Sequence, residues 1–248
     1  MQNYPTLTNA PIREALIDFR FQLPNDFNFE KFDRAYTNFK KDFPKREALN
    51  ESLGKFEIGP KGLVSSAAST IKPIGFLYKS KDDLSVVQYK TNGFTYNRLK
   101  PYIDWTHLVS QAKLYWSYLQ TEIGSGPISR IGLRFINAIP LPAEKFELDD
   151  ILTEFHGLSD GIDCTITGFL HRTTIRSNSN SNQGHITTTV EKTDASKDRK
   201  LIFDIDVFNV GAFLMDGDEI WKTLDSLREL KNSIFFMQLT SEKLKEFA

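Results

Sequence analysis

Residues 75–99 read GFLYKSKDDLSVVQYKTNGFTYNRL. Three β-prone runs, Gly75–Lys79, Leu84–Lys90 and Phe94–Leu99, are joined by two short polar links, Lys81-Asp82-Asp83 and Thr91-Asn92-Gly93. Links this short connect only antiparallel neighbours, because a parallel return needs a crossover of a dozen residues or more. Asn-Gly also supplies the positive φ that tight hairpin turns demand. The stretch predicts a three-stranded antiparallel meander, closed by Pro101.

Upstream, Ile17, Phe19 and Phe21 alternate with Leu16, Asp18 and Arg20, which reads as a half-buried strand over 15–21. Asp26 or Asn28 caps a helix reaching about Phe43, with Phe29, Phe32, Tyr36 and Phe39 on one stripe. Residues 45–69 show weak periodicity and read mostly as loop.

Downstream, Asp104 caps a helix from Trp105 to about Thr121, which Gly124-Ser125-Gly126-Pro127 ends. A strand over 128–139 follows, with Ile131, Leu133 and Phe135 on one side. The second half reads as a short helix over 148–155, strands over 164–176 and 184–191 around the polar tip 177–183, and a strand over 200–208. A helix over 219–231 comes last, striped by Ile220, Leu224, Leu227 and Leu230. The apolar run 233–239 reads as a last strand or as the helix end, packed on the core or open as a partner patch.

This order predicts an α+β protein: antiparallel hairpins and a meander with helices packed on one face, in a single unit over 1–248. A strand leading into a Trp-bearing helix occurs twice, at 94–105 and 206–221. It suggests two repeated halves, 1–142 and 143–248.

Composition narrows the function classes. The 248 residues are 40% apolar, with 20 Phe, which suits an aromatic core, and the formal net charge is −1. A binder relying on phosphate neutralisation shows a basic excess, so nucleic acid is not the expected partner. The helix Lys31–Lys41 and the polar tip are where one would look for it. Cys164 is the one cysteine, which rules out an intrachain disulfide. It reads as a buried apolar group, with His171 seven residues away as its only candidate thiol partner. Met1–Ala10 carries no basic or apolar leader pattern and no run reaches membrane-spanning length, so a cytoplasmic location is expected.

Local catalytic signatures are missing: no Gly-x-Ser-x-Gly, Walker loop, His-Glu-x-x-His or Gly-x-Gly-x-x-Gly is present. His107, His156, His171 and His185 lack metal-ligand spacing, and no cofactor or metal is expected. Trp105 and Trp116, three helical turns apart, and Trp221 read as core anchors or as stacking surfaces.

Charge on alternate strand positions is the strongest site signal. Asp18 and Arg20 share a strand face, as do Arg130 and Arg134, and Asp204 and Asp206. If the three strands adjoin, these charges converge, and Arg98, beside Phe94 and Tyr96, joins them. Two readings follow. One is a groove in which the arginines take a phosphate bidentately. The other is a lattice of Asp–Arg pairs that holds one solvated sheet face.

Several segments also form a recognisable set: Asn9-Ala10-Pro11-Ile12-Arg13-Glu14-Ala15, Gly93-Phe94-Thr95-Tyr96-Asn97-Arg98-Leu99, Arg130-Ile131-Gly132-Leu133-Arg134-Phe135-Ile136-Asn137, Asp204-Ile205-Asp206-Val207-Phe208 and Lys231-Asn232-Ser233-Ile234-Phe235. In these the chain resembles a sporadically distributed family of bacterial and archaeal proteins of similar length. The resemblance spans 9–247 and implies a single-unit architecture. The family's patchy occurrence implies a link to mobile-element or defence-type neighbourhoods. It transfers no catalytic residue.

The expected function is that of a non-enzymatic binding protein with a protein partner or a second copy of itself. The alternative is an enzyme or sensor that holds a phosphate-bearing ligand in the Asp/Arg-lined groove.

Overall fold

Alternation along the strands puts Ile17 and Phe19 on the same side as Tyr96 and Phe94, and these four side chains begin the core. The computed structural model describes residues 4–53, 56–59, 62–65, 70–142, 147–155, 157, 168–191 and 199–248. The first part of the chain runs β1 (Ile12–Arg20), α1 (Glu30–Thr37), β2 (Lys45–Leu53), β3 (Phe56–Gly59), β4 (Gly62–Ser65), β5 (Thr70–Lys79), β6 (Ser85–Lys90), β7 (Gly93–Leu99) and α2 (Trp105–Ile123). It continues with β8 (Pro127–Pro140), a 3-10 turn (Leu148–Asp150), β9 (Leu170–Arg176), β10 (Asn182–Glu191), β11 (Lys200–Leu214), α3 (Glu219–Gln238) and α4 (Ser241–Lys245). The α+β class with an antiparallel sheet is as the sequence indicates.

Nine strands form one antiparallel sheet in the order β2-β5-β6-β7-β1-β8-β11-β10-β9, and β3 and β4 pair separately. Outward from the central β1–β8 pair, the last strand before each helix lies beside the central strand, with earlier strands farther out. The order on the two flanks is therefore the same. Its turning point lies between α2 and β8, at Gly124–Gly126. β8 follows α2 and opens the second flank.

α1, α2 and α3 cover one face. α1 buries Phe32, Ala35 and Tyr36, α2 buries Leu108, Ala112, Tyr115, Trp116 and Leu119, and α3 buries Ile220, Leu224, Leu227, Ile234 and Phe235. Spacings of three and four produce these stripes. Asp104 caps α2 by accepting the His107 amide at 2.7 Å. Phe19 is the meeting point: its ring lies 5.7 Å from Phe94, 5.1 Å edge-on to Trp116 and 5.8 Å from Trp221. One β1 side chain thus ties α2 and α3 to the sheet centre.

Three expectations change. β2 occupies a stretch read as loop. Its residues KREALNESL lack an alternating apolar set, and backbone pairing to β5 fixes them at the sheet edge. Residues 148–155 contain one 3-10 turn and no helix beyond it among the described residues. The run 233–238 continues α3, with Ile234 and Phe235 buried. Cys164 and His156 lie outside the described residues.

Gly75 sits where β5 presses on β6. A Cβ there would lie 1.9 Å from the Tyr89 carbonyl oxygen. Gly75→Ala should therefore cost about 2 kcal/mol or more, through forced separation of the strands. Gly168→Ala, with nothing within 4 Å of the added carbon, should leave the urea midpoint unchanged. Equal midpoints for the two variants would contradict the close approach.

Candidate functional site: a charged ladder on the open sheet face

Phe19, Leu133 and Val207 take the helix side of the three central strands, so parity sends Asp18, Arg130, Arg134, Asp204 and Asp206 to the other side. No described helix covers that face. Strands β1, β8 and β11 adjoin, and the charges do converge.

Arg130 is the hinge of the cluster. Its side chain lies along β8 over Gly132, where a Cβ would come within 2.3 Å of Nη1. The vacant position lets the guanidinium lie flat on the sheet and reach both neighbouring strands. Nη1 donates to Asp18 Oδ1 at 2.9 Å, and Nη2 donates to Asp206 Oδ1 at 2.8 Å and Oδ2 at 3.1 Å. The Phe208 ring packs on the guanidinium at 4.4 Å. Arg20 Nε adds a 2.8 Å bond to Asp18 Oδ1, and the Thr95 hydroxyl donates to Asp18 Oδ2 at 3.1 Å. Asp18 is only 5% exposed, yet three donors satisfy it.

A second rung lies farther along. Arg134 grips Asp204 bidentately, with Nε to Oδ1 at 2.8 Å and Nη2 to Oδ2 at 2.6 Å. That bond, more than any other factor, raises the Arg134 pKa. Lys90 borders Asp18, and its Nζ donates to Thr95 Oγ1 at 3.3 Å. Burial lowers its pKa, with Asp18 partly offsetting the shift.

Arg98 does not belong to this cluster. It stands opposite Ala15 and Ser85, on the face of Phe94 and Tyr96 that the helices cover. Its Nε donates to the Pro101 carbonyl and its Nη1 to Ser85 Oγ, each at 3.1 Å. The sheet itself separates it from Arg130.

Each aspartate of the ladder is engaged by an arginine, and the ladder's charges cancel. A phosphate entering here would have to detach Arg130 from Asp18, leaving a buried carboxylate short of a donor. Among the described residues no cluster of three or more His, Asp or Glu side chains is arranged to hold a metal ion. Within the ladder every carboxylate is paired with an arginine, so the surface is neutralised. Thr95, Lys90 and Phe208 were not singled out from the sequence. Their own strand parity places them here.

Trp116 is buried, with its Nε1 donating to the Met215 carbonyl at 3.2 Å. Trp105 is peripheral: it donates to Asp225 Oδ1 at 3.2 Å and lies 5.3 Å beneath the Arg228 guanidinium. His185 is on the open face opposite Asp206, with its ring 5.2 Å from Phe208. His171 is on exposed β9.

One further titratable group stands on the helix side. Lys231 of α3 places its amine 4.3 Å from the Phe135 ring. No carboxylate among the described residues pairs with it, and Arg228 lies one helical turn away. Burial, reinforced by Arg228, pushes its pKa down to about 7.

No protein-family model matches the chain, and no curated protein matches it. Among the described residues no helix is long and apolar enough to cross a membrane.

Two outcomes are expected. Gly132→Ala should lift Arg130 from its carboxylates and cost roughly 1–3 kcal/mol. In the Arg130→Met background the same change should cost much less, because the displaced group is already gone; additive losses in a double-mutant cycle would refute the arrangement. For Lys231, the unfolded chain keeps the proton up to about the ordinary 10.5, whereas the folded chain releases it near 7. Stability should therefore climb with pH across that window and carry its full penalty below it. Lys231→Met should flatten the climb and stabilise the protein most below pH 7, as read by urea unfolding across the range.

Proposed function

We propose that the chain is a non-catalytic binding protein that receives a protein partner on the helix-free face of its sheet. The carrying observation is the closed Asp18–Arg130–Asp206 bridge. A face whose central charges satisfy one another offers shape and neutral contact instead of a reacting group. Around the ladder stand Leu16, Ile136 and Ile202, half-buried on the same face, and Val210, 53% exposed. Alternating apolar and paired charged groups suit the mixed polarity of a protein interface.

Charge indicates the partner's character. Among the described residues, after internal pairing, Lys90 on one flank forms no salt bridge and only borders the already paired Asp18, and Arg172 and Arg176 on the other have no carboxylate partner. A partner with acidic groups at its rim complements them. A second copy of the chain fits less well. Asp18, Asp204 and Asp206 are taken by arginines, Glu191 by Arg13, and Glu14 accepts the Asn97 amide.

A photo-reactive residue at Ile202 should capture a stoichiometric, acidic protein from the source cell. Capture should weaken with added salt and fall at least tenfold in the Arg172→Glu/Arg176→Glu variant. Equal capture from Lys31 on α1, or none from Ile202, would overturn the reading. ATP, with or without Mg²⁺, should leave the melting temperature unchanged. A rise would favour the phosphate-ligand alternative, since a ligand that binds the folded state stabilises it by mass action.

A further inference from the structure

At the opposite side of the sheet from the ladder, the β9–β10 hairpin tip and one stripe of α3 border an open cleft of about 630 Å³. The tip is the polar run 177–182, which as an isolated loop would be mobile. Here Asn182 fixes it. That side chain is 2% exposed. Its amide donates to Ser226 Oγ of α3 at 2.8 Å, and its carbonyl accepts Asn209 Nδ2 at 2.9 Å. Asn180 Oδ1 in turn accepts the Asn182 backbone amide at 2.9 Å. The tip is thus pinned to the helix, and the cleft walls are set before any ligand arrives.

We propose that this cleft binds a neutral polyhydroxylated ligand, a saccharide. Three properties of the lining point there. First, six of the eleven lining residues, Ser177, Ser179, Asn180, Asn182, Ser226 and Ser233, carry hydroxyl or amide groups. Ser226 Oγ already accepts from Asn182, so its own proton is directed elsewhere, and a hydroxyl ligand both accepts and donates. Second, the charged groups in the lining are Asp225, Glu229 and Lys222. Carboxylates outnumber the cation, which disfavours phosphate and other anions. Third, the lining also carries substantial apolar surface. Leu230 and Tyr4 are among the lining residues, and the Tyr4 ring is held in plane by stacking on Phe236 at 4.9 Å and 11°. Apolar surface interleaved with hydroxyl, amide and carboxylate groups matches a sugar, which presents C–H faces between hydroxyls. The site lies apart from the partner face and does not depend on it.

Backbone amide NMR shifts of the full chain, titrated with D-glucose, N-acetyl-D-glucosamine and D-ribose, test the assignment. At least one sugar should move the amides of 177–182 and 222–233 with millimolar affinity and leave β1 and β8 unmoved. Ser233→Trp, which fills the cleft, should abolish the effect while retaining the dispersed spectrum of the folded chain. Glu229→Gln, which keeps the shape and a hydrogen-bonding carbonyl, should weaken it only a fewfold. If no sugar moves these amides, if Ser233→Trp binds as well as the parent, or if only choline or inorganic phosphate produces the shifts, the proposal fails.

Discussion

β1 and β8 run antiparallel from Ile12 opposite Asn137 to Arg20 opposite Arg130, and the two flanks of the sheet hang from this pairing. Its register fixes both faces at once. Ile17 against Leu133 and Phe19 against Ile131 point to the helices, so Asp18 and Arg20 must stand with Arg130 and Arg134 on the other side. A slip of one residue would bury the charges under α2 and α3 and expose the rings. The hydrophobic core and the charged ladder therefore specify the same alignment, and each penalises the errors the other would allow.

The ladder illustrates why convergent charge is a poor guide to chemistry without geometry. Asp18, Arg130 and Asp206 have the residue types of a phosphate or metal site, yet their distances close on one another. Removing one partner would strand another in partial burial, whereas leaving all in place makes an ordered surface. Lysine at 130 would keep the charge but not the planar fork that reaches two strands over Gly132. The glycine and the arginine work as a pair.

Much of this was legible in the sequence. The meander 75–99 stands out because two short polar links, one carrying Asn-Gly, separate three β-prone runs. That Asp18, Arg130, Arg134, Asp204 and Asp206 each take the polar face of their strand followed from parity; that the three strands adjoin is set by the β1–β8 and β8–β11 pairing. Arg98 was misplaced although Phe94 and Tyr96, two and four residues before it, mark its face as the buried one. β2 escaped notice because its place is set by hydrogen bonds to β5, and backbone pairing leaves little trace in side-chain type. Whether Arg130 is free or bound depends on how it lies over Gly132, which only coordinates reveal.

The central position of β1 has a consequence for synthesis. It leaves the ribosome well before its neighbours, since Thr95, which bonds Asp18, follows by 77 residues and Arg130 by 112. At about 5–20 residues per second, the strand spends seconds with both edges open and Ile17, Phe19 and Phe21 uncovered. An uninterrupted apolar segment in that state would invite pairing with other chains. Asp18 and Arg20, interleaved among those rings, act as gatekeepers during the wait. The side chains that later lock the sheet centre first keep the nascent strand from aggregating.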